Sequence, residues 1–236
     1  MLNNLPLMKL ANYLLLLRFE KILPLINVSF SQEGEDLILK RLFEKKKRGF
    51  YVDVGAHHPI RFSNTFHFYK TGWRGVNIDA CPGCMRLFES LRPKDKNIEA
   101  AVGKDRTHLE YFIFDEPALN SFDRKLSLER QQTTAYQILD TKLIQMVPLK
   151  DILEQYLPTN KKIDFLNIDV EGLEIDVLKS NDWDRYSPDV ILVEFFSASL
   201  NEILGSDLHG FLTSLRYHLT SSTPHTLIYR LDPSLP

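Results

Sequence analysis

Carboxylates recur where apolar, β-branched runs stop: Asp53 ahead of Gly55 in FYVDVGAHHP, Asp79 in GVNIDA, Asp169 and Glu171 in FLNIDVEG, and Glu194 in ILVEF. One acidic strand end is ordinary, because aspartate caps the helix that follows. Four of five candidate strand ends carrying a carboxylate is harder to assign to capping, since open parallel sheets bind ligands beyond the carboxyl ends of their strands. Gly55 leaves bare backbone that a ligand can approach. Asp79, a strand, a helix and a strand later, is placed to accept both hydroxyls of a ribose. The G-x-G-x-x-G spacing that offers a helix N-terminus to pyrophosphate is absent, as is a P-loop lysine, which argues for a nucleoside without phosphates. S-adenosylmethionine is such a ligand. Asp53 would accept from its ammonium directly or through water, Asp79 from its ribose, and Ala101-Val102 would flank its adenine.

The elements that must position these residues follow from periodicity. Strands are expected at Phe50–Val54, Gly75–Asp79, Asn97–Val102, Ile163–Asp169 and Asp189–Phe195. Helical stretches are expected at Asn64–Thr71, Pro82–Leu91, Leu149–Tyr156 and Leu173–Ser180. That alternation predicts an α/β, Rossmann-like fold: a mostly parallel sheet with helices on both faces. Upstream, SQEGEDLILKRLFEKKKRG reads as a helix with Ser31 as N-cap and Gly49 as stop. The tail YHLTSSTPHTLIYR reads as two short strands about a Thr-Pro turn, an antiparallel C-terminal edge. His108–Phe114 has strand character, and the polar stretch from Asp115 towards Val147 is expected to be irregular, a lid or mobile segment over the site.

The chain has 236 residues, 44% hydrophobic and 25% charged, which suits one globular unit. Its formal net charge of −2 gives no general attraction to nucleic acid, and no nucleic-acid partner is expected. The basic run Lys45–Arg48 fits a helix end. Cys81 and Cys84 are the only cysteines, too few for a structural zinc site; they read as a strand-to-helix turn with Pro82 in the first turn of the helix, in a reducing, cytoplasmic setting. Arg61, Lys70 and Arg74 are either solvated charges or contacts to an acidic group. Residues 1–30 are leucine-rich, but charges interrupt them well before the roughly 20 apolar residues of a membrane span. They are expected to form a helical arm docked on the domain or on a partner subunit, with peripheral membrane contact as the alternative, ahead of one domain over residues 31–236.

The segments SQEGED, FYVDVGAHHPIRFSNT, GWRGVNIDACPG, IEAAVG, FLNIDVEGLEIDVL and TPHTLIYR resemble, in this order, the FkbM-type methyltransferases. The resemblance implies a class I S-adenosylmethionine-dependent fold and O-methylation of a hydroxyl on a sugar or a natural product. Carried onto this chain, it implies that Asp53, Gly55, Ala56, Asp79 and Ala80 line the cofactor site with Glu33 and Asn64 as neighbours. It also implies that Asp169 and Glu171 stand beside the transferred methyl. Many methyltransferases have a second glycine two positions after the first, where this chain has His57.

Methyl transfer to a hydroxyl is an in-line displacement that needs alignment and a proton acceptor. Glu171, Asp169, His57 and His58 are the candidates; against this, Asp169 could serve the cofactor ammonium, Glu171 could cap the helix opening at Gly172, and the histidines could pack the loop before Pro59. A divalent metal on Asp169 and Glu194 is the less favoured variant. The rival readings are a nicotinamide oxidoreductase, weakened by the missing phosphate-cradling glycines, and a non-catalytic scaffold on the same fold.

Overall fold

A computed structural model describes residues 27–196 and 199–232. The arm expected over residues 1–30 lies, apart from residues 27–30, outside the described residues. Among the described residues no helix is long and apolar enough to cross a membrane.

The sheet is built around β1 (Phe50–Val54), whose five residues are all buried, as in a strand covered on both faces. It pairs in parallel with β2 (Arg74–Asp79) and β7 (Phe165–Ile168). β3 (Lys96–Glu99) continues beyond β2 and β8 (Val190–Glu194) beyond β7. β9 (Tyr217–Ser222) and β10 (Thr226–Leu231) form the antiparallel edge, with β10 on β8. The order is β3-β2-β1-β7-β8-β10-β9. Strand order therefore reverses between β1 and β7, and their carboxyl ends open the crevice where such sheets take ligands.

Alternation along the strands sorts two cores. Val52, Val54, Val76, Ile78, Leu166 and Ile168 face α5 (Leu149–Tyr156), α6 (Glu174–Lys179) and α8 (Asp207–Ser214) through Leu153, Val177 and Leu212. Tyr51, Phe165, Leu192 and Ile228 face α1 (Glu35–Leu42) and α2 (Phe66–Lys70) through Leu39 and Phe68. Phe165 is fully buried among aromatic rings, with Tyr51 stacked at 5.6 Å; truncating such a side chain costs about 3–5 kcal/mol. On this second face, towards the crevice, the chemistry changes. Asn97, Asn77, Asp53 and Asn167 lie directly opposite one another on four adjacent strands, a polar row across the end of an aromatic core.

Several expectations shift. The single strand expected at Asn97–Val102 breaks at Ala100: β3 stays in the large sheet, while β4 (Ala101–Val102) pairs with β6 (Ile138–Val147). The stretch expected to be irregular is an ordered antiparallel hairpin of β5 (His108–Phe114) and β6, carrying α4 (Arg124–Thr133) between its strands. Pairing with β5 satisfies the backbone of β6 while most of its side chains stay in solvent, which is why its sequence reads as polar. Helix α1 starts at Gly34, in the left-handed region, not at Ser31; Ser31 Oγ instead accepts from the Asp36 amide. It ends at Leu42, ahead of the expected stop at Gly49. Pro82 lies in the turn before α3 (Met85–Leu91), not in its first turn. A short α7 (Leu200–Leu204) completes the described chain.

Candidate active site

A cavity of about 1030 Å³ opens beyond the ends of β1, β2, β7 and β8, lined by Asp53, Gly55, Asp79, Asp169, Glu171 and Glu194 among others. Its first half is built on the β1–α2 loop. Gly55 has φ +81, and a Cβ there would lie 1.6 Å from the Asp169 carbonyl oxygen. The Gly55 and Ala56 amides donate to the Ile78 carbonyl, so the loop leaves β1 by crossing over β2. His57, at φ +52, donates its amide to Asp79 Oδ2 at 2.7 Å, and the Cys81 amide donates to Asp79 Oδ1 at 2.8 Å. Asp79 thus clamps two loops together while keeping lone pairs on both oxygens. Burial pushes its carboxyl above the usual range, and the two amides pull against that.

Asp53 is equally buried. Its Oδ2 accepts from Thr65 Oγ1 at 2.7 Å and its Oδ1 from Asn167 Nδ2 at 2.9 Å. Asn64 Nδ2 donates in turn to Asn167 Oδ1 at 2.9 Å, and Asn64 Oδ1 is left buried without a hydrogen bond, as is His57 Nε2. Both residues line the cavity. His57 is held below the usual imidazole range by burial and then by Arg61 and His58. His58 is shifted the same way, by burial and Arg61 first, and its Nδ1 accepts from the amides of Ile60 and Arg61 at 3.0 and 2.9 Å. That nitrogen closes a turn.

The other half is acidic. Oxygens of Asp169, Glu171 and Glu194 converge within 4.8 Å of one another, close enough to share protons or a cation. Burial, then Glu171 and Glu174, push Asp169 well above the carboxylate range; burial and Asp169 push Glu194 up further. Like charges at this range cannot all ionise. Glu171 is also raised by burial, but Arg130 Nη2 pairs with its Oε2 at 2.6 Å and lowers it. Ser121 Oγ donates to the Glu171 carbonyl at 2.9 Å, so the inserted hairpin and α4 hold this loop from above. Glu171 does not cap the next helix, which has no side-chain cap; Glu174 reaches back to accept from the amides of Val170 and Gly172 and closes the loop that carries Glu171.

The fold thus brings Asp53, Gly55, Ala56, His57, His58, Asn64, Asp79, Ala80, Val102, Asp169 and Glu171 to one cavity. Two expected residues stand outside it. Ala101 is buried in β4 and Ala100 lines the cavity with Val102, because the break at Ala100 changes which side chains face the crevice. Glu33 stands behind His225, pairing with its Nδ1 and accepting from its amide at 2.9 Å; His225 is the lining residue. Burial of Glu33 is outweighed by bonds from Thr223 and His225, which hold its carboxyl below the usual range. The sequence reading missed Arg130 and His225, each paired across the chain with an acid it had singled out.

The cavity fits a nucleoside-bearing cofactor on observations of its own: a backbone cradle at Gly55 that any side chain would fill, two buried polar atoms without partners, and a clamped carboxylate at Asp79 with acceptor capacity left. Counting the large sheet's strands in chain order gives 3-2-1-4-5-7-6, a Rossmann-like class I methyltransferase fold. The chain matches the model of the methyltransferase FkbM domain over residues 53–219; it belongs to that family, and S-adenosylmethionine is its cofactor. No curated protein matches the chain. Similar solved structures include a putative RNA methyltransferase, PH1948, from Pyrococcus horikoshii (9% identity, TM-score 0.44, covering 84% of this chain and 83% of that one). Others are a methyltransferase from Geobacter sulfurreducens (13%, 0.43, 95% and 96%) and a TehB-like SAM-dependent methyltransferase from Corynebacterium glutamicum (10%, 0.42, 94% and 97%).

Proposed function

We propose that the protein transfers a methyl group from S-adenosylmethionine to a hydroxyl oxygen of a sugar, a polysaccharide precursor or a natural product. The observation that carries this reading is the continuity of one cavity from the Gly55–Asp79 cradle to the Asp169–Glu194 pair. When bound, S-adenosylmethionine supplies an electrophilic methyl on a sulfonium. Asp53 would accept from the ammonium of the amino-acid part, Asp79 from the ribose hydroxyls, and Ala100 and Val102 would border the base.

A sugar hydroxyl is a weak acid, so its attack gains from a base stronger than an ordinary carboxylate. Asp169 has that strength: it lies beside a Glu194 that burial keeps protonated, and it would take the hydroxyl proton as the acceptor oxygen bonds the methyl carbon and the carbon–sulfur bond breaks, the neutral thioether leaving. Arg130 pairs with Glu171 and offsets part of the negative charge that opposes the ionisation of Asp169. His58 is unsuited through Nδ1, which its own loop occupies, and His57 sits on the Asp79 side.

The test pairs calorimetric titration of S-adenosylmethionine with methyl-labelled turnover on hydroxylated acceptors, starting with sugars and sugar nucleotides. The expected product is a methyl ether that survives mild alkali. A methylated amine, carbon or ester would overturn the assignment to hydroxyl oxygen. Tight cofactor binding with no product across acceptors would favour the scaffold reading.

A further inference from the structure

Arg92, at the C-terminal end of α3, has no solvent exposure, and all its partners are neutral. Its Nε donates to the Pro59 carbonyl at 2.8 Å, Nη2 to Ser63 Oγ at 2.7 Å, and Nη1 to Thr65 Oγ1 at 2.7 Å and Asn77 Oδ1 at 3.3 Å. The guanidinium carbon lies 5.4 Å from the ring centres of Phe66 and Phe88 and 5.7 Å from that of Tyr69. A buried cation without a carboxylate contact is costly, and such a feature calls for compensation nearby.

Two buried aspartates provide it, each through one neutral residue. An arginine can only donate, so Thr65 Oγ1 accepts from Arg92 and spends its own proton on Asp53 Oδ2 at 2.7 Å. On the other side, Asn77 accepts from Arg92 with Oδ1 and donates with Nδ2 to Asp95 at 3.2 Å. Asp95 also accepts from Tyr51 Oη at 2.6 Å and the Gly75 amide at 3.0 Å, and has no place on the cavity lining. Asp53 does. We propose that Arg92 is a positioning residue of the cofactor site, orienting the Asp53 carboxylate through Thr65 and supplying the positive charge that this buried aspartate otherwise lacks.

The groups facing Asp53 support this. Burial raises its carboxyl, while Thr65, Arg92 and Asn167 lower it. Two acids of the neighbouring strand ends, Asp79 at the end of β2 and Asp169 just beyond β7, add repulsion: each is itself raised by Asp53, whereas the cavity's Arg61, Arg86 and Arg130 are not among the groups that shift Asp53. Arg92 is the cation that opposes them at Asp53. It also ties down the loop bearing Asn64, since Pro59, Ser63 and Thr65 all belong to that loop. The two roles are separable, because a loop anchor sets affinity at every pH alike, whereas a charge that keeps Asp53 ionised sets the pH at which affinity fails.

The inference rests on the reading of Asp53 as a contact of the cofactor's ammonium. The test is calorimetric titration of S-adenosylhomocysteine into the wild type, Arg92→Met, Arg92→Lys, Thr65→Val and Asp53→Asn between about pH 5 and 8, with thermal unfolding of each. The wild type should lose affinity on acidification, and Asp53→Asn should bind weakly without that loss. Arg92→Met should bind about tenfold or more weakly near neutrality, with its acid loss moved to higher pH, and Arg92→Lys should recover part of both. Thr65→Val, which keeps the shape and the cation, should move the acid loss the same way. It decides the matter if Arg92→Met does not fold. An acid loss at the wild-type pH in Arg92→Met and Thr65→Val would overturn the inference, whatever their stability. Wild-type protein that binds with an acid loss unchanged in Asp53→Asn would overturn it too. A folded wild type that binds no S-adenosylhomocysteine would sink the reading of the pocket, and the inference with it.

Discussion

The backbone of Gly55 fills the space beside the Asp169 carbonyl so closely that a Cβ would lie 1.6 Å from that oxygen. The ends of β1 and β7, at the point where strand order reverses, are therefore in backbone contact, and the floor of the cavity has no room for a side chain. Gly55→Ala would meet this overlap and a φ of +81 together. We expect a loss of about 3 kcal/mol or more in unfolding free energy, as for overpacking combined with left-handed strain. Cofactor binding should be lost even where the variant stays folded, a pairing that chemical denaturation and calorimetry can read side by side.

Arg130 and Glu171 form the best-buried ion pair at the site, with side chains 16% and 15% exposed. Breaking a buried pair from one side strands the other charge and costs about 3–5 kcal/mol in full burial; this pair keeps some solvent, so Arg130→Met should cost about 2 kcal/mol. Glu171→Gln in the same chain should recover much of it, because no charge is then left alone. Urea unfolding of the two single variants and the double variant measures the coupling. Independent, additive losses would mean the pair is a surface ornament.

The backbone was easier to read than the site. α5 falls where the periodicity puts it because its buried face, Leu149, Ile152 and Leu153, is apolar; β1 falls there because it is a short, mostly apolar run buried on both faces, and β5 because it is rich in aromatic and apolar residues. The carboxylates of the crevice were legible for a related reason: a strand end is a definable place in a sequence. What the sequence hides is pairing across it. Arg130 meets Glu171 only because β5 and β6 form a hairpin, and neither strand shows a clean alternation while β6 exposes most of its residues. Arg92 follows the apolar residues Met85, Phe88 and Leu91, but an arginine at a helix end before a proline reads as a solvated charge, so the sequence does not betray its complete burial. Ala100 and Ala101 are adjacent alanines, and only the break between β3 and β4 decides which of them reaches the cavity.

Asp79 accepts from two loop amides before it meets any ligand, so Asp79→Ala removes the clamp that holds His57 in place and, on the proposed reading, the ribose acceptor as well. Hydrogen bonds to a charged acceptor are worth about 1.5–3 kcal/mol each, which predicts a loss of cofactor affinity of about a hundredfold. Asp79→Asn keeps one acceptor oxygen and should fall between. Equal, near-wild-type affinity in both variants would remove Asp79 from the ribose site.

The acid cluster makes stability depend on pH in a direction opposite to that of most carboxylates. Asp169, Glu171 and Glu194 all have folded-state carboxyls raised above their ordinary values, so the folded chain holds protons there that the unfolded chain releases. Between the ordinary carboxylate range, about pH 4, and the raised values, the native state binds more protons, and unfolding free energy falls as pH rises. The contribution is complete below about pH 4 and is lost on the alkaline side. Glu194→Gln removes the most strongly raised member, so the variant should lose less stability than the wild type between about pH 5 and 8, with the gap widening as pH rises. Thermal unfolding of both proteins across that range checks it. Parallel curves would mean that the cluster is relieved by something other than a retained proton, and the proposal that Asp169 is the base would lose its support.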